Sequence, residues 1–136
     1  MSNLIAKWSS CGPKLHSVLR IVAAFMFMQA GTMKLFAWPM GMPPDGSTAH
    51  FISQTWIGGV LETFGGALLL VGLFTRPVAF LLAGEMAVAY FQFHFPQGAW
   101  PVMNNGVSAA LYCFLWLYFS AAGAGPWSLD AKRRTS

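Results

Sequence analysis

Four apolar runs, each about as long as a bilayer-spanning helix needs to be, take up most of this 136-residue sequence. They lie at about residues 15–36, 56–74, 78–95 and 106–124. Only 9% of residues are charged and 56% are hydrophobic. A soluble domain carries about 25% charged residues, so this chain cannot cover a water-facing surface. The length allows one domain. The expected fold is all-α: an integral membrane four-helix bundle, antiparallel and up-down, with the lipid bilayer as its main partner.

The breaks between runs are chemically clear. Pro39, Gly41, Pro43, Pro44 and Gly46 mark the first loop, and Pro96, Gln97, Gly98 and Pro101 the last. Proline stops a helix because its ring clashes with the preceding turn and it lacks an N–H. Thr75, Arg76 and Pro77 leave room only for a tight turn, so the second and third spans form a hairpin. Residues 1–14 then read as a cytoplasmic N-terminal segment, 15–130 as the membrane domain and 131–136 as a basic cytoplasmic tail. The first span reads as a retained span and not as a signal peptide, because Lys34 lies within the same run and three more spans follow.

The net charge of +4 is a topology signal in this context. With the N-terminus inside, Lys7, Lys14, Arg20, Arg76, Lys132, Arg133 and Arg134 are cytoplasmic and only Lys34 is outside. That distribution predicts N-in, C-in insertion in a bacterial inner membrane. Trp38, Trp56, Trp100 and Trp127 fall near span ends, where interfacial anchors belong. No basic stripe interleaved with aromatics is present, so no nucleic-acid partner is expected.

Ionisable groups inside a bilayer turn toward partners or cavities. In the first span Arg20, Ala24, Phe27, Gly31 and Lys34 recur in steps of four and three, which is one helix face. In the second, Gly58, Gly65 and Gly72 recur every seven residues with Glu62 on the same stripe, which predicts close helix packing there and at Gly31. Glu85, Ala89 and Gln92 share a face of the third span, and Asn105, Ser108 and Tyr112 share one of the fourth. These stripes predict one charge-balanced polar interior of Arg20, Lys34, Glu62, Glu85, Gln92 and Tyr112. At a rise of ~1.5 Å per residue, Glu62 lies about 10 Å below Lys34, a gap the lysine stem helps to close. The expected pairs are Lys34–Glu62 in the outer half and Arg20–Glu85 in the inner half, with crossed pairing open. These charges either fix helix register or form a ligand or proton site including Glu62, Glu85, His94, Asn105 and Ser108. Helical spacing points His94 away from Glu85. Cys11 and Cys113 form no motif, and no two of His16, His50 and His94 share a helix at metal-ligand spacing, so no metal is expected.

Three segments carry a family resemblance: Leu61-Glu62-Thr63-Phe64-Gly65-Gly66, continuing to Gly72-Leu73-Phe74-Thr75-Arg76; Ala89-Tyr90-Phe91-Gln92-Phe93-His94-Phe95-Pro96 with Asn104-Asn105-Gly106; and Gly125-Pro126-Trp127-Ser128-Leu129-Asp130. Together with Arg20 and Ala30-Gly31-x-x-Lys34, they resemble the DoxX family of four-helix bacterial membrane proteins across about residues 15–130. Asn104-Asn105-Gly106 departs from the usual Asn-Gly-Gly run. The resemblance implies a redox or quinone association, because the family is related to membrane subunits of a thiosulfate:quinone oxidoreductase. Quinone is the one cofactor it brings. The alternatives from the residues alone are a non-catalytic subunit held to a membrane partner or to a second copy, and a small transporter or lipid-handling protein. No nucleophile motif, phosphate loop or CxxC pair supports catalysis by the chain alone.

The charge distribution makes a direct prediction about orientation. A fluorescent protein fused after residue 136 should fluoresce, and alkaline phosphatase fused there should stay inactive. Active phosphatase at the C-terminus overturns the N-in, C-in reading.

Overall fold

A computed structural model describes residues 2–135, and among these all regular structure is helical. The helices are α1 (Ser2–Ser9), α2 (Gly12–Phe36), α3 (Gln54–Val71), α4 (Thr75–Gln97), α5 (Pro101–Asn104), α6 (Val107–Ala122) and α7 (Leu129–Thr135). Three of them, α2, α3 and α4, are long and apolar enough to cross a membrane. The fourth apolar run forms a helix of only 16 residues, shorter than expected. Its limits are set by Asn105, which is left-handed at φ +60°, and by Gly123 at φ +83°.

The caps explain the other boundaries. Ser53 accepts the Trp56 N–H at 3.1 Å and starts α3 two residues earlier than the apolar run suggests. Gly72, at φ +71°, ends α3: its N–H and that of Leu73 turn back to Leu69 and Leu68. The next helix begins almost at once. Asp130 accepts the N–H groups of Phe74 and Thr75, both at 2.9 Å, and so caps α4 from the far end of the chain. Partial burial pushes the Asp130 carboxyl up, but these amides and Arg133 outweigh it and hold the group below the usual carboxylate range. Gly72 is therefore a helix cap as well as a close-packed position, where a Cβ would lie 2.4 Å from Ser128 Cβ and 3.0 Å from Arg20 Cζ.

Helix α2 packs along α3, and α4 packs against both α3 and α6. The buried face of α2 includes Ser17, Arg20, Ala24, Phe27 and Gly31. Two glycine rows on α3 serve two neighbours. Gly59 and Gly66 meet Lys34, Leu35 and Met28 of α2, while Gly58 and Gly65 meet Glu85 and Leu82 of α4. The core is completed by Ala79, Ala83, Met86, Ala109, Trp116 and Phe119, with Phe27 edge-on to Trp116 at 5.5 Å. Phe80, Leu81, Phe114 and other large apolar residues remain exposed on the outside, as lipid-facing side chains would.

Gly31 marks the tightest crossing of α2 and α3. A Cβ there would lie 2.4 Å from Thr63 Oγ1, 2.6 Å from Thr63 N and 2.8 Å from Gly59 O. Because two of these are backbone atoms, Gly31→Val should destabilise by about 1–3 kcal/mol. Gly84→Ala, whose Cβ meets nothing within 4 Å, should be neutral or slightly stabilising. Unfolding in micelles titrated with sodium dodecyl sulfate measures both; equal stability of the two variants would contradict the close crossing.

Candidate functional site

The intramembrane charges form two separate clusters instead of one balanced interior. Lys34, two residues before the end of α2, donates to both carboxylate oxygens of Glu62, at 2.8 and 2.6 Å. Glu62 is 2% exposed and lies in a single π-helical turn, Leu61–Gly65, inside α3. Glu85 comes from α4 and interacts with both members of the pair. Its Oε1 is buried and has no hydrogen-bond partner among the described residues.

The expected Arg20–Glu85 pair is absent. Arg20 is fully buried at the other end of α2, and its guanidinium donates to the carbonyls of Leu69 and Trp127 at 2.8 Å, of Leu70 at 3.4 Å, and of Ala124. These carbonyls lie at the C-terminal ends of α3 and just beyond α6, where helices leave acceptors unsatisfied and the macrodipole is negative. Asp130 adds a coulombic attraction to this cation without a hydrogen bond to it. Ser17 accepts the Trp127 N–H at 3.1 Å, and His16 Nε2 lies 2.8 Å from the Gly123 carbonyl, tying the same segment to α2.

Beside Lys34–Glu62–Glu85 runs a cleft of about 760 Å³ between α3 and α4. Its walls are mostly apolar: Ile57, Leu61, Phe80, Leu81, Val88 and Phe93. Its polar groups are few, namely Lys34, Gln54, Thr55, Glu85 and His94. Phe80, Leu81 and Ile57 are exposed, so the cleft opens sideways on the apolar flank of the helices. Gly58 and Gly84 leave the space open.

His94 lines this cleft together with Glu85, contrary to the helical spacing. At about 100° per residue, nine residues of α-helix would place them on opposite faces. Residues Tyr90–His94, however, form a second π-helical turn. One such turn accommodates an extra residue and brings His94 round by about 100° toward Glu85. Its Nδ1 lies 3.0 Å from the Asn104 carbonyl, which can only accept, so Nδ1 carries a hydrogen.

The remaining polar stripes do not join the site. Gln92 is the exception: it is exposed and does not line the cleft, but its Oε1 accepts from Gln54, which does. Asn105 and Ser108 are exposed, because Asn105 is the left-handed cap of α5 and lies outside α6 altogether. Tyr112 donates to the Ala23 carbonyl at 3.2 Å and stacks with Trp116, a core position away from the cleft. Asn104, which the sequence did not single out, is fully buried: Nδ2 donates to Gly98 O at 2.9 Å, and Oδ1 accepts the Gly106 N–H at 2.8 Å. Its neighbour Asn105 has the same side chain, so only the turn geometry tells them apart.

The Lys34–Glu62 pair is testable by itself. Glu62→Gln combined with Glu85→Gln leaves an ammonium without a carboxylate, and breaking a buried pair costs ~3–5 kcal/mol. Lys34 keeps 22% exposure, so the loss should fall toward the lower end. Lys34→Met combined with Glu62→Leu should recover most of it in the same detergent titration. A normally stable Glu62→Gln, Glu85→Gln protein defeats the structural role of the pair.

Comparison with known proteins agrees with these features. The sequence model of the DoxX family matches residues 15–95. A protein of Haemophilus influenzae (strain ATCC 51907 / DSM 11121 / KW20 / Rd), described as uncharacterized, is 42% identical over 123 residues, covering 88% of this chain and 91% of that protein. No solved structure matches. The glycine rows, the Glu62 turn, Glu85 and His94 all fall within the matched segment, and the chain belongs to the DoxX family.

Proposed function

We propose that this membrane protein binds a bilayer-soluble molecule with a carbonyl head, a quinone by preference, in the cleft between α3 and α4, and exchanges a proton with it through Glu85. In this reading the chain sits in the bacterial inner membrane as a four-helix antiparallel bundle with both termini cytoplasmic. The short α6 is the fourth span, extended at its ends by the segments around Asn105 and Gly123.

One observation carries the reading. A buried carboxyl oxygen without a partner among the described residues, Glu85 Oε1, stands beside a mostly apolar cleft. A buried polar atom that nothing satisfies costs free energy unless a ligand or proton meets it. One ammonium, Lys34, neutralises one carboxylate. A second carboxyl group in the same place is uncharged only while it holds a proton. A protonated Glu85 shares its hydrogen with the Glu62 carboxylate until a carbonyl head enters the cleft and accepts it, and His94 lines the same cleft as a further polar contact. The apolar walls suit a hydrocarbon tail. A quinone supplies reversible carbonyl-to-hydroxyl redox chemistry. The chain supplies binding, orientation and a proton, and the electrons belong to another component of the membrane. Both π-turns, at Glu62 and His94, flank the cleft, a feature that recurs at functional sites.

Purification in mild detergent followed by solvent extraction and mass analysis tests this. The wild-type protein should carry close to one quinone per chain. Gly84→Leu should empty the cleft, and Glu85→Leu, which removes the donor, should lower occupancy about five- to tenfold through the lost hydrogen bond. Unchanged melting temperatures would separate both effects from misfolding. Another lipid lost in Gly84→Leu favours the lipid-handling alternative, and a stoichiometric protein partner with no small molecule favours the subunit alternative. Absence of any quinone, or equal occupancy in all three proteins, rejects the proposal.

A further inference from the structure

A second pocket, of about 500 Å³, lies at the opposite end of α4 from His94, under the turn that joins α3 to α4. Its lining includes three guanidinium groups, Arg76, Arg133 and Arg134, and one carboxylate, Asp130. From these groups we infer a binding site for a phosphate-bearing anion, with the phosphodiester of a lipid headgroup as its natural source. The site adjoins the quinone cleft at Pro77 but does not depend on that reading.

Three features make the pocket more than a topology signal. The carboxylate is already engaged: both Asp130 oxygens accept backbone N–H groups, from Phe74 and Thr75. Its one negative charge, which also attracts Arg133, offsets one of the three guanidinium groups and leaves the pocket with a surplus of positive charge. Two of the arginines are held in place. Arg76 donates to the Ala121 carbonyl, and Arg133 lies over the Phe74 ring at 4.8 Å. Guanidinium groups fixed in this way present planar forks that match phosphate oxygens, where free surface side chains would have to be ordered first. The pocket also adjoins an apolar surface, since Pro77 lines both it and the α3–α4 cleft. One helical turn further along α4, Phe80 and Leu81 are 65% and 55% exposed. A phosphate held by the arginines would leave its acyl chains against that flank. Basic pockets at the ends of spanning helices are known to recognise anionic headgroups on this principle.

Native mass spectrometry of the full chain in detergent, titrated with dioleoyl-phosphatidylglycerol, tests the inference. Each arginine near such a headgroup contributes about fivefold in binding, so Arg76→Gln with Arg134→Gln should weaken lipid retention about 25-fold. Arg134→Gln alone should weaken it about fivefold and serves as the measurement if the double variant fails to fold. Lys7→Gln with Lys14→Gln removes the same charge outside the pocket and should change retention little. Competition with inorganic phosphate separates the sources. Displacement at millimolar concentration means that free phosphate also occupies the site, and no displacement means that the lipid is the ligand; both support a phosphate site. Equal loss in the lysine and arginine variants, or no loss in Arg134→Gln, overturns it.

Discussion

The guanidinium of Arg20 holds the helix ends of this protein together. It is fully buried, yet it donates to main-chain carbonyls from two stretches of chain, Leu69 and Leu70 near the end of α3 and Ala124 and Trp127 beyond α6. In an apolar medium every unsatisfied carbonyl is costly, and helix ends are where such carbonyls collect. A single cation that meets several of them fixes how α2, α3 and α6 end relative to one another. The C-terminal segment then folds across that end, so that Asp130 reaches the start of α4. Close packing at Gly31 and the glycine rows of α3 follows from helices aligned in this way.

The opposite half of the molecule is organised on a different principle. There an ammonium and two carboxyl groups sit close together, and one carboxyl oxygen has no partner among the described residues. The surroundings are equally irregular. Glu62 and His94 each occupy a π-helical turn, and Gly58 and Gly84 withhold side chains from the cleft. One end of the protein thus engages its buried cation with main-chain carbonyls, whereas the other brings two carboxyl groups to one ammonium beside a mostly apolar cleft. This contrast is the physical basis for placing function at the second end.

Much of this was legible in the sequence, for identifiable reasons. Spans could be read because a bilayer imposes a length and an apolar character on each helix. The meeting of Lys34 and Glu62 could be read because few charged residues exist and their depths follow from a constant rise. Arg20 was misassigned to Glu85 because a side-chain count contains no main-chain carbonyls, and these become acceptors only when a helix ends beside the arginine. His94 was misplaced because a π-turn adds one residue without changing the composition of the segment. Asn104 and Asn105 are identical as letters, and only the positive φ of the second decides which side chain is buried.

The sideways opening of the α3–α4 cleft changes what affinity means for this protein. In the proposed reading, a ligand that enters past the exposed Phe80 and Leu81 would come from the hydrocarbon phase without crossing water. The concentration that governs occupancy is then its mole fraction among the surrounding lipids. Little apolar surface is removed from water on entry, so the hydrophobic effect contributes almost nothing to selectivity. Discrimination between one lipid-soluble molecule and the many that surround it falls to shape and to the few polar atoms along the wall. A single unpaired oxygen can therefore matter more here than the whole apolar lining.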